Sequence, residues 1–140
     1  MLVPFNKEHF AYAHRLLPRL SEEIFEKTAN SKSGFIYLDS NLEPSGILIC
    51  CLLWEKLPFI QHLIIEESKR NKGLGTLALK ELENKLKEEG YKLVLLSTQA
   101  DEKAQFLYRK FGYIDCGALF FEDTPFNQPA VIFLKKRLDR

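Results

Sequence analysis

Cysteine is scarce in this sequence. Cys50, Cys51 and Cys116 are the only three in 140 residues, an odd number with no CxxC spacing, which signals neither a disulfide framework nor a zinc site. An excess of charge of one sign is also missing. Twenty Lys+Arg stand against 19 Asp+Glu, a net charge of +1, whereas general nucleic-acid binders carry a basic surplus. Long hydrophobic runs are absent: the longest, Gly46 to Trp54, is well short of the roughly 18 residues of a membrane span. The start Met1-Leu2-Val3-Pro4-Phe5 has no basic segment and no small-residue cleavage site, so no leader is expected. The expectation is a cytoplasmic protein, monomer or homodimer, with no nucleic-acid or membrane partner and no metal. No repeat and no Gly/Ser-rich linker divides the chain. With 46% hydrophobic and 28% charged residues, it reads as one folded domain over residues 1–140.

What is present is an alternation of strand and helix signals. An apolar start at Leu2–Phe5 suits an edge strand. Lys7 to Asn30 reads as two helices parted near Pro18, which cannot continue a helix interior, the second capped by Ser21 with Glu22 and Glu23 in its first turn. Strands are expected at Gly34–Leu38 and at Ile47–Trp54, the latter apolar throughout as if buried on both faces. A further strand is expected at Phe59–Ile65. Leu79, Leu82 and Leu86 mark the inner stripe of a helix over Leu77–Glu89, with Glu81–Lys85 and Glu83–Lys87 pairs outside. A buried strand at Lys92–Ser97 follows. Next comes a short helix over Lys103–Phe111 with Ala104, Leu107, Tyr108 and Phe111 on one face. Strands at Ile114–Phe121 and Ala130–Lys136 close the chain around the Pro-containing loop Glu122–Pro129. The order β-α-α-β-β-β-α-β-α-β-β predicts an α/β domain whose mixed sheet holds antiparallel hairpins around one parallel βαβ unit.

Chemistry concentrates at Arg70-Asn71-Lys72-Gly73-Leu74-Gly75-Thr76, between a strand and a helix. Glycines let the backbone turn tightly and approach a ligand without an intervening Cβ. Free N–H groups at a helix start favour an anion, and Lys69, Arg70 and Lys72 add positive charge. The turn therefore points to a phosphate or pyrophosphate site, or else to a plain strand-to-helix turn with surface lysines. The Walker A pattern is absent. Gly73-Leu74-Gly75-Thr76-Leu77-Ala78 satisfies the loose dinucleotide pattern, but three strand candidates precede it, and no acid ends the next strand, where Leu95-Leu96-Ser97-Thr98 stands.

The pattern [RQ]xxGx[GA] after a long strand, met here by Arg70, Gly73 and Gly75, resembles motif A of the GNAT superfamily of acetyl-CoA-dependent N-acetyltransferases. Downstream, Asp101-Glu-Lys-Ala104-Gln-Phe-Leu-Tyr108-Arg-Lys-Phe111-Gly112-Tyr113 resembles that superfamily's Asn-x-x-Ala-x-x-x-Tyr-x-x-x-Gly-Phe. The two motifs, their order and the element order cover nearly the whole chain.

The resemblance implies a three-layer α/β fold, its mostly antiparallel sheet opened by a splayed central parallel strand pair. It implies acetyl-CoA as cosubstrate and direct transfer of its acetyl group to a primary amine of an unidentified acceptor. Backbone groups of Leu63, Ile64 and Ile65 would bond the pantetheine arm, and those of Arg70, Asn71, Lys72, Gly73, Leu74, Gly75 and Thr76 the pyrophosphate. Asp101 and Ala104 would also meet the cofactor. Asp101 stands where the family usually has Asn, and a carboxylate cannot donate the hydrogen bond an amide can. Tyr108 matches the tyrosine that protonates the departing thiolate. Where family members often use a strand Glu as base, this sequence has Gln61 and His62; His62 has a suitable intrinsic pKa, or is an ordinary half-buried strand residue. The acceptor would arrive beside the N-terminal helices and the Glu122–Pro129 loop, where Trp54, Phe120, Phe121 and Phe126 suggest apolar surface. Two other functions share the phosphate turn: a non-catalytic CoA-binding sensor, and an NAD-type dinucleotide-binding protein. Away from this region His9 and His14 read as solvated, Cys116 as packed, and Lys135-Lys136-Arg137 as a solvated strand end.

Overall fold

A computed structural model describes residues 1–140. Seven strands form one sheet: β1 (Leu2–Pro4), β2 (Gly34–Leu38), β3 (Pro44–Leu53), β4 (Leu57–Ile65), β5 (Leu93–Gln99), β6 (Ile114–Leu119) and β7 (Val131–Arg137). Their order is β1-β2-β3-β4-β5-β7-β6, and only β4 and β5 pair in parallel. Four helices flank it: α1 (Phe10–Leu16), entered by a 3-10 turn at Lys7–His9, α2 (Glu22–Asn30), α3 (Leu74–Glu88) and α4 (Ala104–Lys110). None is long and apolar enough to cross a membrane.

Successive residues of a strand point to opposite faces, and β3 uses this to serve two cores. Ile47 and Ile49 pack with Ala13 of α1 and Phe25 of α2. Leu48 packs between them on the other side with Leu79, Leu82 and Leu86 of α3 and with Val94, Leu96 and Leu134. The result is three layers, α1–α2 on one face and α3–α4 on the other. The apolar run is buried on both faces only as far as Ile49; Cys50 and Cys51 are half-buried and Leu52 is exposed. Trp54 leaves the strand altogether. With Glu55 it forms the β3–β4 turn at φ 52° and 59°, 73% exposed.

Tertiary partners override two local expectations. Ser21 caps α2 as read, its Oγ accepting from the Ile24 N–H at 3.2 Å. Neither predicted pair on α3 forms. Glu83 instead accepts from the buried Tyr113 hydroxyl at 2.7 Å and from Lys136 Nζ at 2.8 Å, while Glu81 meets the N-terminal amine. Lys136 is therefore no solvated strand end, since β7 brings it across α3. On α4 Leu107 turns out to solvent and Gln105 turns in, its Nε2 donating to the carbonyls of Ala100 and Glu102. Those two carbonyls would otherwise lack a partner inside the loop. Cys116 is exposed on the edge strand β6, where the register shift between Asp115 and Gly117 leaves it unopposed. His9 and His14 are tied to backbone: Asn6 N–H donates to the His9 ring, and the His14 ring bonds the Leu20 carbonyl.

Two irregularities position the site. Pairing of β4 with β3 steps from Ile49–His62 to Cys50–Ile60, so Gln61 is a bulge. One extra residue reverses the alternation beyond it. Ile60 and Leu63 consequently share the α3 side, while His62 lies opposite Ile49 on the α1–α2 side. The second irregularity is the parallel pair itself, which holds at Phe59–Leu95 and Ile60–Leu96 only. Past Ile60 the two strands diverge to their C-terminal ends.

Candidate active site

The divergence of β4 from β5 opens a cleft of about 760 Å³ that runs from Leu63, Ile64 and Ile65 to the start of α3 and is closed by α4. There β4 stays paired with β3 along one edge, while its β5-facing edge has no strand beside it. The backbone groups on that open edge, apart from the Ile65 carbonyl that accepts from Arg70, are left for a ligand. At the far end α3 begins without a side-chain cap, its N-cap Gly73 held at φ 78°. Such a backbone suits glycine because a Cβ would crowd the carbonyl. The helix thus starts at Leu74, not Leu77, and Gly75 and Thr76 belong to its first turn. Backbone N–H bonds in the turn end with Lys69 and Arg70 and resume with Leu77 donating to the Gly73 carbonyl. From Asn71 to Thr76 the N–H groups face no protein acceptor, an arrangement suited to an anion at a helix start.

Eleven of the residues expected around a cofactor lie together along this cleft: Leu63, Ile64, Ile65, Arg70, Asn71, Gly73, Leu74, Gly75, Thr76, Ala104 and Tyr108. Two do not. Lys72 turns to a neighbouring depression against the β2–β3 loop, and Asp101 is exposed outside the lining. The positive charge is also distributed differently from the expectation. Lys69 Nζ is committed to Asp39 Oδ2 at 3.3 Å, Glu43 Oε2 at 3.4 Å and the Pro44 carbonyl at 3.2 Å. Arg70 Nε donates to the Ile65 carbonyl at 2.9 Å. Lys103, at the start of α4, is a lining cation that sequence reading missed, and Glu102, Leu107 and Leu79 are further lining residues it did not name. The signal for Lys103 was its place next to Ala104, at the start of the helix that the downstream motif assigns to the cofactor.

Asp39 gathers the loop that holds Lys69. It accepts from the N–H groups of Asn41 and Glu43 and from Ser45 Oγ. These bonds, with Lys69, hold its carboxyl well below the usual range, at about 2. A depressed carboxyl contributes stability in full above its unfolded value of about 3.9, and loses it only as pH falls toward its folded one. The clamp therefore holds at any physiological pH. Asp39→Asn is expected to raise the KM for acetyl-CoA severalfold with little change in kcat, because it loosens the entry to the α3 turn and touches no reacting atom. Steady-state kinetics at saturating amine checks this.

Tyr108 lines the cleft from α4 and packs against the α3-side core, 6.1 Å from the Tyr113 ring. Burial, and then Glu102, push its hydroxyl above the ordinary value, so it carries its proton at neutral pH. Gln61 and His62 do not line the cleft. They face a small pocket of about 180 Å³ under α2, on the other side of the sheet. Burial, then Arg19, lower the His62 pKa, which leaves the ring neutral and able to accept a proton. Near the end of β4, Glu66 is half-buried and held by Arg15 at 2.6 Å, and is not free in solvent. The Tyr12 hydroxyl, pushed up to about 12 by burial and by Glu66, is buried nearby without a partner.

This geometry has counterparts. The model of the Acetyltransferase (GNAT) family matches residues 4–113. A GNAT family acetyltransferase from Elizabethkingia anophelis, solved with acetyl-CoA bound, superposes with TM-score 0.75 at 22% identity, covering 98% of this chain and 97% of that one. The ribosomal-protein-S18-alanine N-acetyltransferase from Escherichia coli gives 0.81 at 15% identity over 99% and 93%. A spermidine/spermine N-acetyltransferase from Vibrio cholerae gives 0.79 at 17% identity over 99% and 92%. At such identities the likeness is one of fold. No curated protein sequence matches the chain. The family match is carried by the sequence itself and spans both the glycine turn of α3 and the tyrosine of α4, so the chain belongs to the GNAT acetyltransferase family and is by that membership an acyltransferase.

Proposed function

We propose that residues 1–140 form one N-acetyltransferase domain that moves the acetyl group of acetyl-CoA directly to a primary amine. The observation that carries this reading is the opening of β4 from β5 beside six consecutive N–H groups, Asn71 to Thr76, that meet no protein acceptor. A thioester supplies the activated acetyl group when it is bound. The residues fit such a ligand: an apolar wall at Leu63–Ile65, open on the edge that faces β5, suits a pantetheine arm, and the uncapped turn with Lys103 nearby suits a pyrophosphate.

The protein's part in the reaction is small. An N–H on the open, β5-facing edge of Leu63–Ile65 donates to the thioester oxygen as charge develops there, a preorganised donor of the oxyanion-hole kind. His62, neutral on the opposite side of β4, takes the proton of the attacking amine, with Gln61 beside it as a polar contact. Tyr108 gives its phenolic proton to the sulfur as it leaves. Donor and acceptor thus approach β4 from opposite faces at the bulge. The test is release of free CoA thiol from acetyl-CoA across a panel of primary amines. Release that depends on the amine is expected, and a CoA-binding sensor would bind acetyl-CoA without it.

A further inference from the structure

The acceptor's chemistry is written in the pocket under α2. Its lining includes Leu20, Ile24 and Thr28 over Gln61 and His62, and its ionisable groups are Arg19 and His62. No carboxylate lines it. Glu22 and Glu23, in the first turn of α2, are exposed, and Glu23 is engaged with Lys27 at 3.4 Å. Arg15, Arg109 and Arg137 each sit against a carboxylate, whereas Arg19 has none within ion-pair distance. The α1–α2 connection therefore presents an uncommitted guanidinium at the mouth of a pocket of about 180 Å³. Its floor adjoins the cleft: Gln61 and His62 face the pocket, and the next residue, Leu63, lines the cleft.

A site for a polycationic amine would place carboxylates here, to offset the charges that do not react. This one does the reverse. Arg19 repels a second ammonium group, and its planar fork is shaped to take a carboxylate or phosphate through two hydrogen bonds. The same cation disfavours the protonated amine near His62, and only the neutral amine can attack. Resting on the transferase reading above, we propose that the acceptor is a small primary amine carrying an anionic group, its carboxylate or phosphate on Arg19 and its nitrogen beside Gln61 and His62.

The experiment measures CoA release at fixed acetyl-CoA with four probes: glycylglycine, glycylglycinamide, 2-aminoethyl phosphate and spermidine. For the wild type, kcat/KM for glycylglycine or for aminoethyl phosphate is expected to exceed that for glycylglycinamide and for spermidine by tenfold or more. Whichever of the two leads identifies the anion. In Arg19→Ala the ratio of the leading anionic probe to glycylglycinamide should fall by about ten- to a hundredfold, the size of a charge-assisted contact. Arg19→Glu should move the preference to spermidine. The melting shift given by acetyl-CoA should persist in both variants, showing that they are folded and bind cofactor. A wild type that prefers spermidine overturns the proposal, as does an Arg19→Ala change that lowers all four rates equally. Failure of the underlying reading looks different: acetyl-CoA then gives no melting shift and no probe releases CoA. A melting shift with no release from any probe overturns the acceptor class and leaves the cofactor cleft standing.

Discussion

Tyr108→Phe is expected to lower kcat by about a hundredfold or more, the usual range of a general-acid contribution, with acetyl-CoA affinity and melting temperature nearly unchanged. The separation follows from the contacts. The ring packs against the α3-side core and lies 6.1 Å from Tyr113, and phenylalanine keeps that packing. The hydroxyl makes no hydrogen bond to the protein, so its removal orphans no partner and costs the fold little. What is lost is a proton held at neutral pH by a phenol whose pKa burial has raised. Rapid-mixing measurement of the transfer step, with calorimetric binding of acetyl-CoA, separates the two. Unchanged kcat would remove Tyr108 from the mechanism.

The second large effect is expected at Gly75. A Cβ at this position would meet only Ile65 Cγ1 at 3.6 Å, an ordinary contact. Valine is also no worse a helix former than glycine, so Gly75→Val should fold. Its side chain would nonetheless occupy the cleft wall where the turn must come close to phosphate. Acetyl-CoA affinity should fall by about ten- to a hundredfold, the loss of one or two charge-assisted hydrogen bonds. Gly73 makes the contrast. It has open space around its missing Cβ, but its φ is 78°, so alanine there strains the backbone and lowers stability by roughly 1–2 kcal/mol. Isothermal calorimetry and thermal melting on both variants distinguish the approach of a ligand from the strain of a turn. Undiminished affinity in Gly75→Val would move the pyrophosphate elsewhere.

The order of elements was legible because each helix and strand here carries its own periodicity. Leu79, Leu82 and Leu86 recur at helical spacing and all are buried, and β2 begins and ends where its apolar run does. The glycine turn and the Tyr108 motif were legible because they lie in contiguous stretches. The features that decide the site's workings were not. Lys69 is spent on Asp39, 30 residues earlier, a partner that no local spacing identifies. The bulge at Gln61 reverses which residues of β4 face the cleft, and the adjacent polar pair Gln61-His62 in Phe59-Ile60-Gln61-His62-Leu63 does not say on which residue the alternation breaks. Gln105 points inward because two loop carbonyls need a donor, which binary patterning cannot foresee. That Arg15, Arg109 and Arg137 meet carboxylates while Arg19 does not is a fact of the folded state alone.

The central claim is direct transfer between two ligands that meet at β4 from opposite faces. It is tested most directly by initial rates of CoA release with acetyl-CoA and an accepted amine varied together. Direct transfer in a ternary complex predicts no release without amine and double-reciprocal lines that intersect. Parallel lines, or CoA released by the protein before any amine is added, would require an acetylated residue between the two steps and would contradict the account.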